Sequence, residues 1–140
     1  MLSKSLKEIM DKISELEFAE KFDLIVAIAN GGIIPAALIN QRLLVKIVLL
    51  KLSFRNAKQQ PLFAAPQLAE PINFEVAGKT ILLVEDRVKT GATLDYAKQL
   101  MAGAAKVKTF AVNGKADYFL YDENCFPFPW LMPVATSKVS

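Results

Sequence analysis

Histidine is absent from this 140-residue chain, and cysteine occurs once, at Cys125. Without an imidazole there is no Ser–His or Cys–His nucleophile pair, no zinc-finger spacing and no His-Glu-x-x-His metalloprotease helix. One thiol excludes a Cys-x-x-Cys redox pair, a cysteine-held iron–sulfur cluster and any internal disulfide. Runs of like charge are also missing. The net charge is +3 and the pI about 9.0, but the lysines are scattered, so nucleic acid is offered no patch. A membrane-spanning segment is lacking too: the apolar stretch 24–39 is interrupted by Asn30, Gly31, Gly32 and Pro35, and a span needs about 20 apolar residues. Lys4, Lys7 and Glu8 leave no apolar core for a secretory leader. A soluble, cytoplasmic protein is expected, working through carboxylates, lysines, hydroxyls and backbone N–H groups. That repertoire suits phosphate and ribose handling.

What is present is a globular composition, 53% hydrophobic and 22% charged, in a length that fits one domain over 1–140. Ser5 followed by Glu8 reads as a capping box, and Leu6, Ile9, Met10, Ile13 and Leu16 recur at helical spacing toward Ala19. Leu24-Ile25-Val26-Ala27-Ile28 is a continuous apolar run closed by Asn-Gly-Gly, the signature of a strand buried on both faces. Pro35 suits a first helical turn, with the helix continuing over 36–44. Strands are predicted over 45–54, 80–84 and 107–112, with a helix over 92–101 before Gly103. Residues 55–73 carry Pro61, Pro66 and Pro71 and no periodicity, which predicts a long functional loop. Phe126-Pro127-Phe128-Pro129-Trp130 suits neither a helix nor a central strand. Buried strands alternating with helices give the α/β class, a doubly wound and mainly parallel sheet flanked by helices.

In such a sheet ligands bind at the carboxyl ends of the strands. There, Ile81-Leu82-Leu83-Val84 deliver two adjacent acids, Glu85 and Asp86, and Lys89-Thr90-Gly91-Ala92-Thr93 opens a helix. A turn of this kind presents N–H groups and hydroxyls at the positive end of the helix dipole, an anion cradle. The acids beside it suit sugar hydroxyls or a magnesium ion. As an alternative, the acids merely end a strand and the threonines merely cap a helix.

Four apolar residues, two acids, three variable residues and Thr-Gly-x-Thr resemble the phosphoribosyl pyrophosphate (PRPP) motif of the type I phosphoribosyltransferases. The pattern is most similar to the small bacterial and archaeal purine enzymes. The resemblance implies that Glu85 and Asp86 are the catalytic, ribose-holding acids, that Asp86 takes Mg2+, and that Lys89, Thr90, Gly91, Ala92 and Thr93 hold the 5′-phosphate. Ile28-Ala29-Asn30-Gly31-Gly32 resembles the pyrophosphate loop, which implies a cis or switching Ala29–Asn30 peptide, with Asn30 and Gly31 facing the pyrophosphate. Leu52-Ser53-Phe54 is similar to the start of a mobile catalytic loop over 55–73. Lys115-Ala116-Asp117-Tyr118 and Phe128-Pro129-Trp130 resemble a base-binding hood over about 115–135, with Lys115 on the 6-oxo group and Phe128 or Trp130 stacked on the base. Two positions depart from the pattern. Asn30 stands where Arg or Lys is frequent, which leaves Lys51 or Arg55 to supply the charge. Lys89 stands where 6-oxopurine enzymes carry Asp.

The expected activity is transfer of a 5-phosphoribosyl group from PRPP to a nitrogenous base, a purine first, with pyrophosphate released and magnesium as cofactor. A homodimer or larger homo-oligomer would cover the C-terminal aromatics. Two other readings stay open: a non-catalytic module that senses PRPP or a nucleotide on the same fold, and a subunit-interaction module with a vestigial site.

Overall fold

Ser5 caps helix α1 (Leu6–Glu15), its hydroxyl accepting the Glu8 backbone N–H at 3.0 Å. The reciprocal half of the capping box is missing, because the Glu8 carboxylate instead accepts from the Tyr121 hydroxyl. The computed structural model describes residues 3–53 and 66–135. After α1 come β1 (Leu24–Ala29), α2 (Ile33–Leu43), β2 (Lys46–Ser53), β3 (Gln67–Leu68), β4 (Thr80–Arg87), α3 (Ala92–Leu100), β5 (Lys106–Asn113) and β6 (Tyr118–Tyr121). They form one six-stranded sheet in the order β3-β2-β1-β4-β5-β6, parallel throughout except for β3.

Strand β1 has β2 on one side and β4 on the other, so chain order reverses between β1 and β4. Their register runs from Leu24↔Ile81 to Ala27↔Val84 and then stops. Past that point the two strands part, and the crevice outside their carboxyl ends is where a doubly wound sheet takes a ligand. Alternation along the central strands divides the core between two faces. Ile25, Ala27, Leu82, Val84, Phe110 and Val112 pack with Ile9 and Ile13 of α1 and Ala36 and Ile39 of α2. Leu24, Val26, Ile28, Ile81 and Leu83 pack with Leu94, Ala97 and Met101 on the side of α3.

The structure departs from the sequence reading in four places. Helix α1 stops at Glu15 rather than near Ala19, with Leu16 in extended geometry as its C-cap. The described end of the 55–73 segment holds β3, which pairs antiparallel with Leu52 and Ser53; residues 55–65, with Arg55, lie outside the described residues. Strand β4 runs on past Val84 through Glu85, Asp86 and Arg87, three residues beyond the predicted end. Residues 118–121, expected in the hood, are a sixth parallel strand. Exposed aromatics also give less reason for self-association than the sequence suggests. Phe126 and Phe128 are buried within the chain, and the exposed apolar groups beyond them are Leu131, Met132 and Val134. Among the described residues no helix is long and apolar enough to cross a membrane.

Leu82 is fully buried under α2. Leu82→Ala is expected to cost about 2–5 kcal/mol, from lost transfer energy and the cavity left behind. Urea unfolding reads this as a lower midpoint at unchanged slope. A loss under about 1 kcal/mol would show that this layer of the core can collapse around the gap.

Candidate active site

At the end of β1 the Ala29–Asn30 peptide is cis, and the chain turns through Gly31 into α2. Gly31 comes so near β4 that a Cβ on it would lie 2.6 Å from Oδ2 and 2.7 Å from Cγ of Asp86. A methyl group there would make the carboxylate turn aside, whereas at Gly32 a Cβ would lie 2.2 Å from the Val84 carbonyl oxygen, backbone that cannot give way. A backbone turn and a carboxylate from distant parts of the sequence are thus brought into contact.

Beyond β4, Lys89 and Thr90 are exposed, Gly91 has φ +87° and α3 begins at Ala92. The positive φ is what allows the chain to swing into the helix at this point. Thr90 Oγ1 accepts the Ala92 N–H at 3.2 Å, a hydroxyl turn just ahead of α3, whose N-cap Gly91 offers no side chain. Glu85, Asp86, Arg87, Val88, Lys89, Thr90, Gly91 and Thr93 line one cavity of about 370 Å³. Its volume matches a small-molecule site.

Both acids are half-buried, and this governs their protonation. Burial, then the neighbouring Asp86 charge, pushes the Glu85 carboxyl up to about 7. Asp86 is also raised by burial, against the opposing pull of the Arg87 backbone N–H and guanidinium. Two half-desolvated carboxylates side by side favour a cation or hydroxyl donors in front of them. Among the described residues no group of three or more acids, cysteines or histidines could hold a metal ion alone. A divalent ion in front of Glu85 and Asp86 would need the rest of its hard-oxygen shell from outside this pair.

The remaining candidates are dispersed. Lys51 is in register with Ala29, but its ammonium meets Glu70 at 3.3 Å. Lys115 is exposed and lines an adjoining cavity of about 250 Å³ with Asp95, Lys98 and Thr109, sharing only Gly91 with the first. Asp117 holds that turn to β5, its Oδ2 accepting from the Thr109 backbone N–H at 2.9 Å and from its hydroxyl at 3.1 Å. Phe128 is 3% exposed, so its ring is not free to stack on a base in this structure. The half-buried Trp130 is the accessible ring of the pair.

The phosphoribosyl transferase domain family matches residues 2–125. The chain belongs to this family. It is 37% identical over 123 residues to a xanthine-guanine phosphoribosyltransferase of Chromohalobacter salexigens, covering 81% of this chain and 72% of that one. A namesake from Idiomarina loihiensis is 26% identical over 122 residues, covering 81% and 74%. The crystal structure of a purine phosphoribosyltransferase from Pyrococcus horikoshii superposes with a TM-score of 0.76 at 24% identity, covering 98% of each chain. Within this phosphoribosyl transferase domain, sequence reasoning missed two members of the cavity wall, Arg87 and Val88. The partners of Arg87 are Phe126 and Phe128, about forty residues away, and no local pattern announces such a contact.

The raised Glu85 pKa has a defined sign in stability. An unfolded glutamate loses its proton near 4.5, the folded one near 7, so between those values the folded state binds more protons. The contribution is fully present below pH 4.5 and disappears as pH rises through 7. Thermal melting of the ligand-free protein should therefore fall over this window, and Glu85→Gln should flatten the fall. Parallel curves for the two proteins would show that Glu85 titrates normally.

Proposed function

We propose that the protein transfers a 5-phosphoribosyl group from PRPP to a purine base and releases pyrophosphate, with Mg2+ as the divalent ion. The observation that carries this reading is the contact of Gly31 with the Asp86 carboxylate beside the Thr90–Gly91 turn. The turn at 30–32 then lies against a pair of acids that share a cavity with the head of α3, which supports reading the three as pyrophosphate, ribose and phosphate subsites. Membership of the family and the names of the relatives, xanthine-guanine and purine phosphoribosyltransferases, support the chemistry.

In this reading Glu85 and Asp86 accept hydrogen bonds from the ribose hydroxyls and draw the sugar against β4. The N–H groups and hydroxyls of Thr90, Gly91, Ala92 and Thr93 hold the 5′-phosphate at the head of α3, with Lys89 adding charge. The backbone at Asn30 and Gly31 faces the pyrophosphate as negative charge grows on it. Positive charge grows at the same time on the ribose ring, beside the two acids. Asp86 with Glu85 would hold a magnesium ion together with substrate oxygens and water, where it would supply countercharge to the diphosphate. Positioning and preorganised charge then supply most of the rate. Trp130 offers the base a ring face, while Lys115 stays exposed in the adjoining cavity. An ammonium at position 89 donates and does not accept, so Lys89 cannot serve as the base at purine N7. Self-association, with Leu131, Met132 and Val134 as the apolar contact, belongs to the same proposal.

Pyrophosphate release from Mg-PRPP with hypoxanthine, guanine, xanthine, adenine, orotate and uracil tests the reading. Release with a purine, and the matching nucleotide by mass, is the expected result. Binding of PRPP with silence across the panel would instead make the chain a sensor. Asp86→Asn should weaken Mg-PRPP at least about tenfold, the loss of a charge-assisted contact, at an unchanged melting temperature. Gly31→Ala should do the same by driving a methyl group into the Asp86 carboxylate. Unchanged affinity in a calorimetric titration of Asp86→Asn removes the ribose role.

A further inference from the structure

The cavity at the end of β4 has a wall made by Arg87. The guanidinium carbon lies 4.6 Å from the centre of the Phe128 ring, and Nη2 donates to the Phe126 carbonyl at 3.0 Å. Phe128 stacks in turn on Trp130, centroids 5.0 Å apart and planes within 7°. A cation over one ring, a second ring stacked on the first and a carbonyl on one nitrogen hold the plane of the guanidinium. Its donors are not used up. Nε is buried and meets no acceptor among the described residues. Closed off from solvent, it is not itself within a ligand's reach, so a contact with a base falls to the other N–H groups of the guanidinium that lines the cavity. Lys115, which the family resemblance assigns to the base, lies in the adjoining cavity instead.

A guanidinium discriminates by geometry. Its parallel N–H groups match two adjacent acceptors, and a donor in either place opposes it. The 6-oxygen and N7 of a 6-oxopurine are such a pair of acceptors, whereas adenine sets an amino group beside N7. We propose that Arg87 selects the acceptor base, donating to the 6-oxygen and N7 of a 6-oxopurine and disfavouring adenine. The inference rests on the site being a purine phosphoribosyltransferase site and names the acceptor class within it. The other polar groups of this wall are unsuited to that selection, because Glu85 and Asp86 accept and Lys89 and Thr90 belong to the phosphate turn.

Equilibrium binding of nucleoside monophosphates reads the base subsite without turnover. The wild-type protein should bind inosine 5′-monophosphate roughly 5- to 150-fold more tightly than adenosine 5′-monophosphate, the span one two-pronged arginine–base contact supports. Arg87→Leu should bring the two within about threefold by weakening the inosine nucleotide alone, and Arg87→Lys should fall between. The 7-deaza inosine nucleotide should bind the wild type more weakly than its parent, and Arg87→Leu equally well. An unchanged ratio in Arg87→Leu overturns the proposal. Equal weakening of both nucleotides does so too, since that is the effect of an arginine that only props the 126–130 segment. Should Arg87→Leu not fold, equal affinity of the wild type for the 7-deaza nucleotide and its parent overturns the proposal. Titration with Mg-PRPP separates the levels: PRPP binding without base preference removes Arg87's role, and no PRPP binding by the wild type removes the underlying reading as well.

Discussion

Everything at the site depends on how closely the backbone at Gly31 approaches the carboxylate of Asp86. The two central strands are paired as far as Ala27 and Val84, and beyond them the chains separate without losing contact. One turns into α2 and the other carries two acids forward. A side chain at position 31 would turn the Asp86 carboxylate aside, and one at position 32 would strike the Val84 carbonyl and drive the loop away from the crevice. The buried registers of β1 with β4 and β2 make this approach stiff, because a shift of either strand would misplace apolar side chains on both faces of the sheet.

The same placement sets the electrostatics. A strand running through the middle of the sheet delivers Glu85 and Asp86 partly desolvated and adjacent, so the charged form of each is disfavoured until a cation or hydroxyl donors arrive. The Thr90–Gly91 turn lies a few residues further on, where Gly91 swings the chain into α3 and the helix presents its positive end. Groups that prefer positive and negative partners thus line one cavity. That contrast suits a substrate carrying phosphates at its ends and hydroxyls between them.

The C-terminal segment contributes through packing as much as through chemistry. Phe126 and Phe128 are core residues, joined edge to face with each other, while Tyr121 meets Phe126 in the same manner. Asn113, buried at the end of β5, exchanges two hydrogen bonds with the backbone of Glu123 at 3.1 and 3.0 Å. It thereby ties the loop after β6 to the sheet. With that anchor in place, the aromatic run comes back over β4 and meets Arg87.

Much of this was legible in the residues themselves. The apolar runs at 24–28 and 80–84 announce central strands because only a strand buried on both faces is apolar without alternation. Paired acids followed by Thr-Gly-x-Thr mark the proposed site, because the conformational needs of a phosphate turn would select those residue types locally. The short strands at 67–68 and 118–121 were not legible, since two to four residues carry no periodicity and are ordered only by the strand they join. Nor could the sequence tell that Phe128 is a core residue, that Lys51 meets Glu70, or that Lys115 and Arg87 line different cavities. Local backbone preference and hydrophobic pattern are properties of neighbours in the chain, and they determined the class of fold and the position of the site. Which side chains share a cavity depends on contacts between residues far apart in the chain, and those were decided only when the strands, the aromatic run and the two loops packed together.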